Sequence, residues 1–237
     1  VRIERPILFS SLMVCAIRMG LKHQTRRIIK KPPEPFGTSY YPAESWFIGR
    51  HPGGGWRAVD LCQYINPDGF EDIPEAAATG FGCPHGWVGD RLWVREAWAT
   101  HRMYDLYKPS GLDPEVAPIV YLAGRQDYKT KPAIIGKTRP SIFMPRWAAR
   151  TVLQIRDVRV ERLQDISEED AVDEGIAYGF RCNAGWPDYE HIRNGVCEVT
   201  QDSAGMSFAS LWDSLNAKRG ISWEANPWVW VINFRMI

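Results

Sequence analysis

The chain has 237 residues, 45% of them hydrophobic and 24% charged, with a formal charge of +1. That composition is ordinary for a soluble globular protein, long enough to bury a real core as one elaborated domain or two small ones. It excludes a low-complexity or disordered chain, and no apolar segment approaches membrane-spanning length.

Ile7-Leu8-Phe9 reads as a short strand. Ser10 or Ser11 can cap a helix running to Met19, and Gly20 fits the left-handed residue that closes it. Thr25 to Ile29 reads as extended. From Lys31 to about Gly82 the chain is rich in Pro and Gly with little periodicity, so it is expected to be a long insertion or flap.

Arg91 to Glu96 alternates, with Leu92, Val94 and Glu96 on one face and Arg91, Trp93 and Arg95 on the other. A second irregular region is expected over about 101–140. Thr151–Ile155 and Val158–Leu163 form two strands or one bent strand. Ser167-Glu168-Glu169-Asp170 resembles a capping box opening a helix that Gly175 ends. A third insertion covers 178–205. Phe208, Leu211, Trp212 and Leu215 then repeat at helical spacing, and Trp228 to Ile232 is apolar on both faces, as a central strand is.

Charge is segregated along the chain. Residues 1–31 hold eight Lys or Arg and one acid, 137–162 seven basic and two acidic residues, and 163–205 two basic and ten acidic. The basic segments either converge on one anion-binding face or pair with the acidic one in scattered salt bridges. Eleven Trp, nine Tyr and nine Phe imply a heavily aromatic core or stacking surfaces, with Trp212, Trp228 and Trp230 assigned to the core. Five irregularly spaced cysteines and an N-terminal stretch without an apolar run point to a reduced, cytoplasmic setting. Cys83 and His85 stand two apart after Cys62, but no second close pair completes a tetrahedral site, so no metal is expected. No phosphate loop, dinucleotide fingerprint, nucleophile elbow or His-Glu-x-x-His helix is present, so no cofactor is expected.

Gly20, Lys22, Thr25 and Arg26 stand in the order Gly-x-Lys-x-x-Thr-x-Arg, which resembles the signature of the ASCH superfamily of PUA-like β-barrel domains. Cys83-Pro84-His85-Gly86, Gly89 to Glu96, Pro140 to Ala148, Leu163 to Ser167 and Asn226 to Trp230 are similar to phage and prophage ASCH-like proteins. The summed pattern is a small mixed sheet with two or three helices and three insertions in one α+β domain, and the resemblance implies that the sheet is a compact PUA-like β-barrel. It also implies a cleft for RNA, DNA or a modified nucleobase, nucleoside or nucleotide, and no membrane partner. Some members bind RNA; others are hydrolases, among them an amidohydrolase acting on N4-acetylcytidine with a Lys, a Thr and a Glu as its proposed catalytic set.

Lys22 and Thr25 fall on two of those positions, and Glu96 is the candidate for the third. A turn after the helix can bring Lys22 and Thr25 together. A Lys beside Arg26 and partly desolvated has a lowered pKa and can act as a base, with Thr25 as nucleophile or water-orienting group. Burial of Glu96 would suit it to proton shuttling. The bland alternative is a Lys22–Glu96 ion pair that staples helix to strand. Arg26 and Arg27 are candidate ligand contacts, Ser141, Arg146 and Trp147 form a second set, and Trp93 is a candidate stacking residue. Two rivals stand beside hydrolysis. One is a non-catalytic reader of RNA or modified bases. The other is a phage protein that binds a host nucleic-acid enzyme through its acidic 163–205 segment.

Overall fold

In a computed structural model, residues 3–30, 83–124, 134–179, 182, 184–193 and 196–237 are described, together with the backbone of short strands between residues 46 and 81. Five strands form the principal sheet: β1 (Glu4–Leu8), β2 (Gln24–Ile28), β3 (Arg91–Arg95), β4 (Val152–Arg162) and β5 (Trp228–Met236). Their spatial order is β1-β3-β4-β5-β2, with β1 parallel to β3 and the other pairings antiparallel. β5 lies between β4 and β2, and its Val229, Trp230, Val231 and Ile232 are all buried. The two-sided apolar run therefore marks a central strand, as its pattern predicts.

The sheet is mixed and carries few helices, but it is not a closed barrel, which corrects the expectation of one. β1 and β2 are its edges. Phe9 still pairs with β3 through its N–H to the Arg95 carbonyl, and the chain then turns at Ser10 into α1 (Ser11–Arg18). What spans the two edges is a side chain: Arg27 Nη2 on β2 donates to the Leu8 carbonyl at the end of β1, 2.8 Å away.

The three α-helices among the described residues start on serines that accept a first-turn N–H. Ser10 caps α1, Ser167 caps α2 (Glu168–Asp173) and Ser203 caps α3 (Ala204–Asn216). The Glu168 carboxylate also accepts from Ala204 N and Gly205 N at 2.8 and 3.1 Å, tying the start of α2 to the start of α3. α1 buries Met13, Val14 and Ile17, and α3 buries Phe208, Leu211 and Trp212, in one core with the sheet.

The region 151–163 is one bent strand, with a β-bulge between Ile155 and Asp157 that switches the face the side chains occupy. Within 31–82 the chain is more regular than its composition suggests: Trp46–Arg50, Trp56–Asp60 and Thr79–Phe81 form a three-stranded antiparallel sheet. Beyond these strands and two two-residue strands, the expected insertion or flap at 31–82 lies outside the described residues. The 101–140 region carries a small core of its own, in which Leu112 and Ala117 pack with Trp98, Met144 and Ala148.

Candidate functional site

A cleft of about 500 Å³ opens between the end of β1, the start of α1, β2, the C-terminal end of α2 and one face of α3. Lys22, Thr25 and Glu174 are its most deeply buried polar residues together with Arg26. The turn that carries Lys22 is held from both sides. Gly20 takes φ +69°, Leu21 N donates to the Ala16 carbonyl, and His23 N donates to the Asp173 carbonyl on α2.

Lys22 Nζ donates to both the backbone carbonyl and Oε2 of Glu174, each at 2.6 Å. Burial pulls the amine below the ordinary lysine range, Glu174 pulls it back up, and the neighbouring charges of Arg27 and Arg26 push it down again; the net direction is down. Glu174 Oε1 is buried without a hydrogen bond, Arg26 Nη1 standing 3.6 Å away. Among the described residues Thr25 makes no side-chain hydrogen bond, so a hydroxyl is left free beside the pair.

Glu96 is the expected acid; the carboxylate that meets Lys22 is Glu174. Glu96 is 1% exposed and forked onto Arg150, Nε to Oε1 at 2.8 Å and Nη2 to Oε2 at 2.9 Å, with that guanidinium 4.1 Å from the Tyr121 ring centre. It does not line the cleft. β3 ends at Arg95, and the following residues turn toward the small core around Trp98, where Glu96 N meets Met144 Sδ. Nor does Glu96 pair with Lys22, whose partner is Glu174.

Glu174 did leave a signal. It is the residue just beyond α2 and before Gly175, where the exposed carbonyls of a helix end disfavour a carboxylate. An anion placed against local electrostatics has a partner elsewhere. Gly175 serves the same arrangement: at φ +92°, an added Cβ would stand 3.1 Å from Lys22 Cβ and 3.3 Å from Ala16 Cβ. Gly175→Ala is expected to cost about 1 to 3 kcal/mol in urea-induced unfolding and to displace Lys22 from Glu174.

The candidate ligand contacts divide. Arg27 lies in the cleft, its guanidinium 5.0 Å from the Phe9 ring centre. Ser141 also lines it, while Arg146 instead bonds Glu4 Oε2 at 2.8 Å. Trp147 packs edge-on against Trp98 and Trp93 lies under Arg95; neither borders the cleft.

Arg26 borders the cleft, but its guanidinium is committed to protein groups. It bonds Glu161 Oε2 at 3.0 Å and Asp170 Oδ2 at 2.9 Å, and Nη1 bonds Gln24 Oε1. Arg159 joins both carboxylates, and Gln24 Nε2 donates to Asp170 at 2.8 Å. Burial would raise the Asp170 carboxyl, but hydrogen bonds from Gln24, Arg26 and Arg159 hold it below the ordinary range. Basic and acidic segments thus pair here, as the salt-bridge alternative anticipates, and they do so in a partly buried network.

His85, considered in the sequence only as a metal ligand, borders the cleft, while Cys62 lies outside the described residues. Burial, with the cations Arg27 and Arg5 beside it, lowers the imidazole to about 4, so the ring is neutral at pH 7. Compared with family models, with curated proteins and with solved structures, the chain matches none of them.

Proposed function

We propose that the cleft receives a nucleobase or nucleoside, free or at a nucleic-acid end, and hydrolyses an amide on it with Lys22, Thr25 and Glu174. This is an ASCH-type reading in which the Gly20-to-Arg26 signature builds the floor of the site. The observation that carries it is the buried Lys22–Glu174 pair, clamped at 2.6 Å in the lining of an open cleft that Thr25 also borders, with Glu174 Oε1 making no hydrogen bond.

Glu174 Oε1 makes no hydrogen bond within the chain and has the Arg26 guanidinium at 3.6 Å, so it keeps capacity as an acceptor. In a hydrolase it accepts a hydrogen bond from the attacking water or from the substrate amide. Water adds to the acyl carbon, the Lys22–Glu174 pair takes its proton and returns it to the leaving amine, and Thr25 orients the water or the acyl group. Acid and amine are the products.

The reading as a host-enzyme ligand loses support from the same contacts. Glu168, Asp170, Glu174 and Asp188, four acids of its supposed working surface, are bound to groups of this chain. The test is turnover of N4-acetylcytidine, and of single-stranded RNA and DNA, by the native chain and by Lys22→Ala. Product formed by the native chain and abolished in the variant supports hydrolysis. Salt-sensitive binding with no product supports the non-catalytic reader instead.

A further inference from the structure

Outward from its floor the cleft changes character. Lys22, Thr25 and Glu174 are buried, Arg27, His85 and Ser141 are half-buried, and Ser10 is exposed. Glu174 is the one carboxylate among the described lining residues, and it is held by Lys22.

Arg27 differs from the cations around it. Lys22 and Arg26 have carboxylate partners within 4 Å, whereas among the described residues Arg27 has none that close: it bonds the Leu8 carbonyl, packs on the Phe9 ring and feels the Glu174 charge from farther off. Its Nε is buried and makes no hydrogen bond. The same holds for Nε of Arg26, Arg91, Arg95 and Arg139, so what sets Arg27 apart is its place on the cleft without a close carboxylate.

His85 is held on the turn closed by Gly86 N to the Cys83 carbonyl at 3.1 Å, so its ring is presented from fixed backbone. The charged groups that face it are Arg27 on β2 and Arg5 on β1, and Arg5 is itself bonded to Asp90 at 3.2 Å. Burial first, and then these two cations, keep the ring neutral, in which form it offers one N–H donor. Ser10 Oγ accepts from Met13 N and still has its own proton to donate, and the Ser141 hydroxyl lies on the same cavity.

We propose that this outer part of the cleft is a phosphate-monoester subsite formed by Arg27, His85, Ser10 and Ser141, so that the ligand carries a terminal phosphate. The inference rests on the nucleobase reading of the floor and narrows it to a nucleotide or a phosphorylated strand end. A carboxylate brings two oxygens, fewer than the donors gathered here call for. Four donors supplied from β1's end, β2 and two loops suit a tetrahedral anion with three terminal oxygens, and an internal phosphodiester offers only two.

The experiment is calorimetric binding at pH 7.5 and fixed ionic strength. The probes are cytidine, cytidine 5′-monophosphate, and a five-nucleotide cytidine RNA with and without a 5′-phosphate. Inorganic phosphate is followed separately by thermal unfolding. The phosphate is expected to tighten binding about tenfold to a hundredfold. That gain is expected to vanish in Arg27→Gln and to fall in His85→Gln, which keeps the interior free of a new charge should Arg27→Gln fold poorly.

A gain for the mononucleotide alone identifies a free nucleotide; a gain for the RNA as well identifies a strand end. Equal affinity with and without the phosphate, or a gain unchanged in both variants, overturns the subsite and leaves the nucleobase reading standing. If inorganic phosphate stabilises the native chain but not Arg27→Gln, and the cytidine compounds add nothing to it, the subsite stands and the nucleobase reading falls.

Discussion

Glu174→Gln is expected to lower the turnover of an acylated cytidine nucleoside by about a hundredfold to ten-thousandfold, while Glu96→Gln leaves turnover within about threefold of native. The Gln side chain keeps the shape of Glu174, and Lys22 keeps its bond to the Glu174 backbone carbonyl, so the fold should survive. What is lost is the carboxylate that shares a proton with the amine. Burial holds that amine below the ordinary lysine range, so its neutral form becomes available at lower pH than in a free lysine. In the native chain kcat/KM should therefore rise with pH and level off below about 10.4, the ordinary lysine value. Glu96→Gln breaks a two-pronged bond to Arg150 instead, and its expected effect is a loss of about 1 to 3 kcal/mol of stability. A Glu96 variant that loses turnover while folding normally, beside an unaffected Glu174→Gln, would overturn the assignment of the acid.

The contrast between the two glutamates shows how much of the site the chain discloses before folding. Lys22 and Thr25 were legible because they lie three residues apart behind a helix that Gly20 closes, a purely local relation. Their acid comes from 152 residues away, and strand alternation around Glu96 fixes a face without fixing which cavity that face borders. The same limit explains Trp93, Arg146 and Trp147, whose residue types suit ligand contact while Arg95, Glu4 and Trp98 respectively claim them first.

The sheet was legible in its central strand, where Val229 to Ile232 admits no solvated face, and the helices in the capping serines and closing glycines of α1 and α2 and the periodicity of α3. The strand Trp46–Arg50 was not. Its sequence Trp-Phe-Ile-Gly-Arg does not alternate, and the surrounding Pro and Gly argue for a loop. His85 was overlooked as a cleft residue for a related reason: its spacing from Cys83 raised metal binding, whereas its position depends on the approach of Arg5 and Arg27 from separate strands.

Arg26→Met is expected to cost about 3 to 5 kcal/mol, because it removes one partner from a buried ionic network and leaves the others in place. The Arg26 side chain is fully buried and holds Glu161, Asp170 and Gln24 together, and Arg159 reaches those carboxylates only from the partly exposed side. For a chain of this size a loss of 1 kcal/mol lowers the midpoint by about 2 to 4 °C, so thermal unfolding reads the effect directly. The pH dependence has a definite sign. Asp170 titrates below its ordinary value in the folded chain, so its contribution is complete above about pH 3.9 and is lost as the pH falls through the lower folded value. Without Arg26 the folded Asp170 titrates closer to its unfolded value. The native chain should therefore lose more stability than Arg26→Met between neutral pH and the acid range, and the two unfolding curves should converge as the pH falls. Arg26→Lys keeps the charge but not the fork that spans two carboxylates, and should fall between them. Parallel curves for native and Arg26→Met across that range would show that Arg26 does not set the Asp170 titration, and would transfer the role to Arg159 and Gln24.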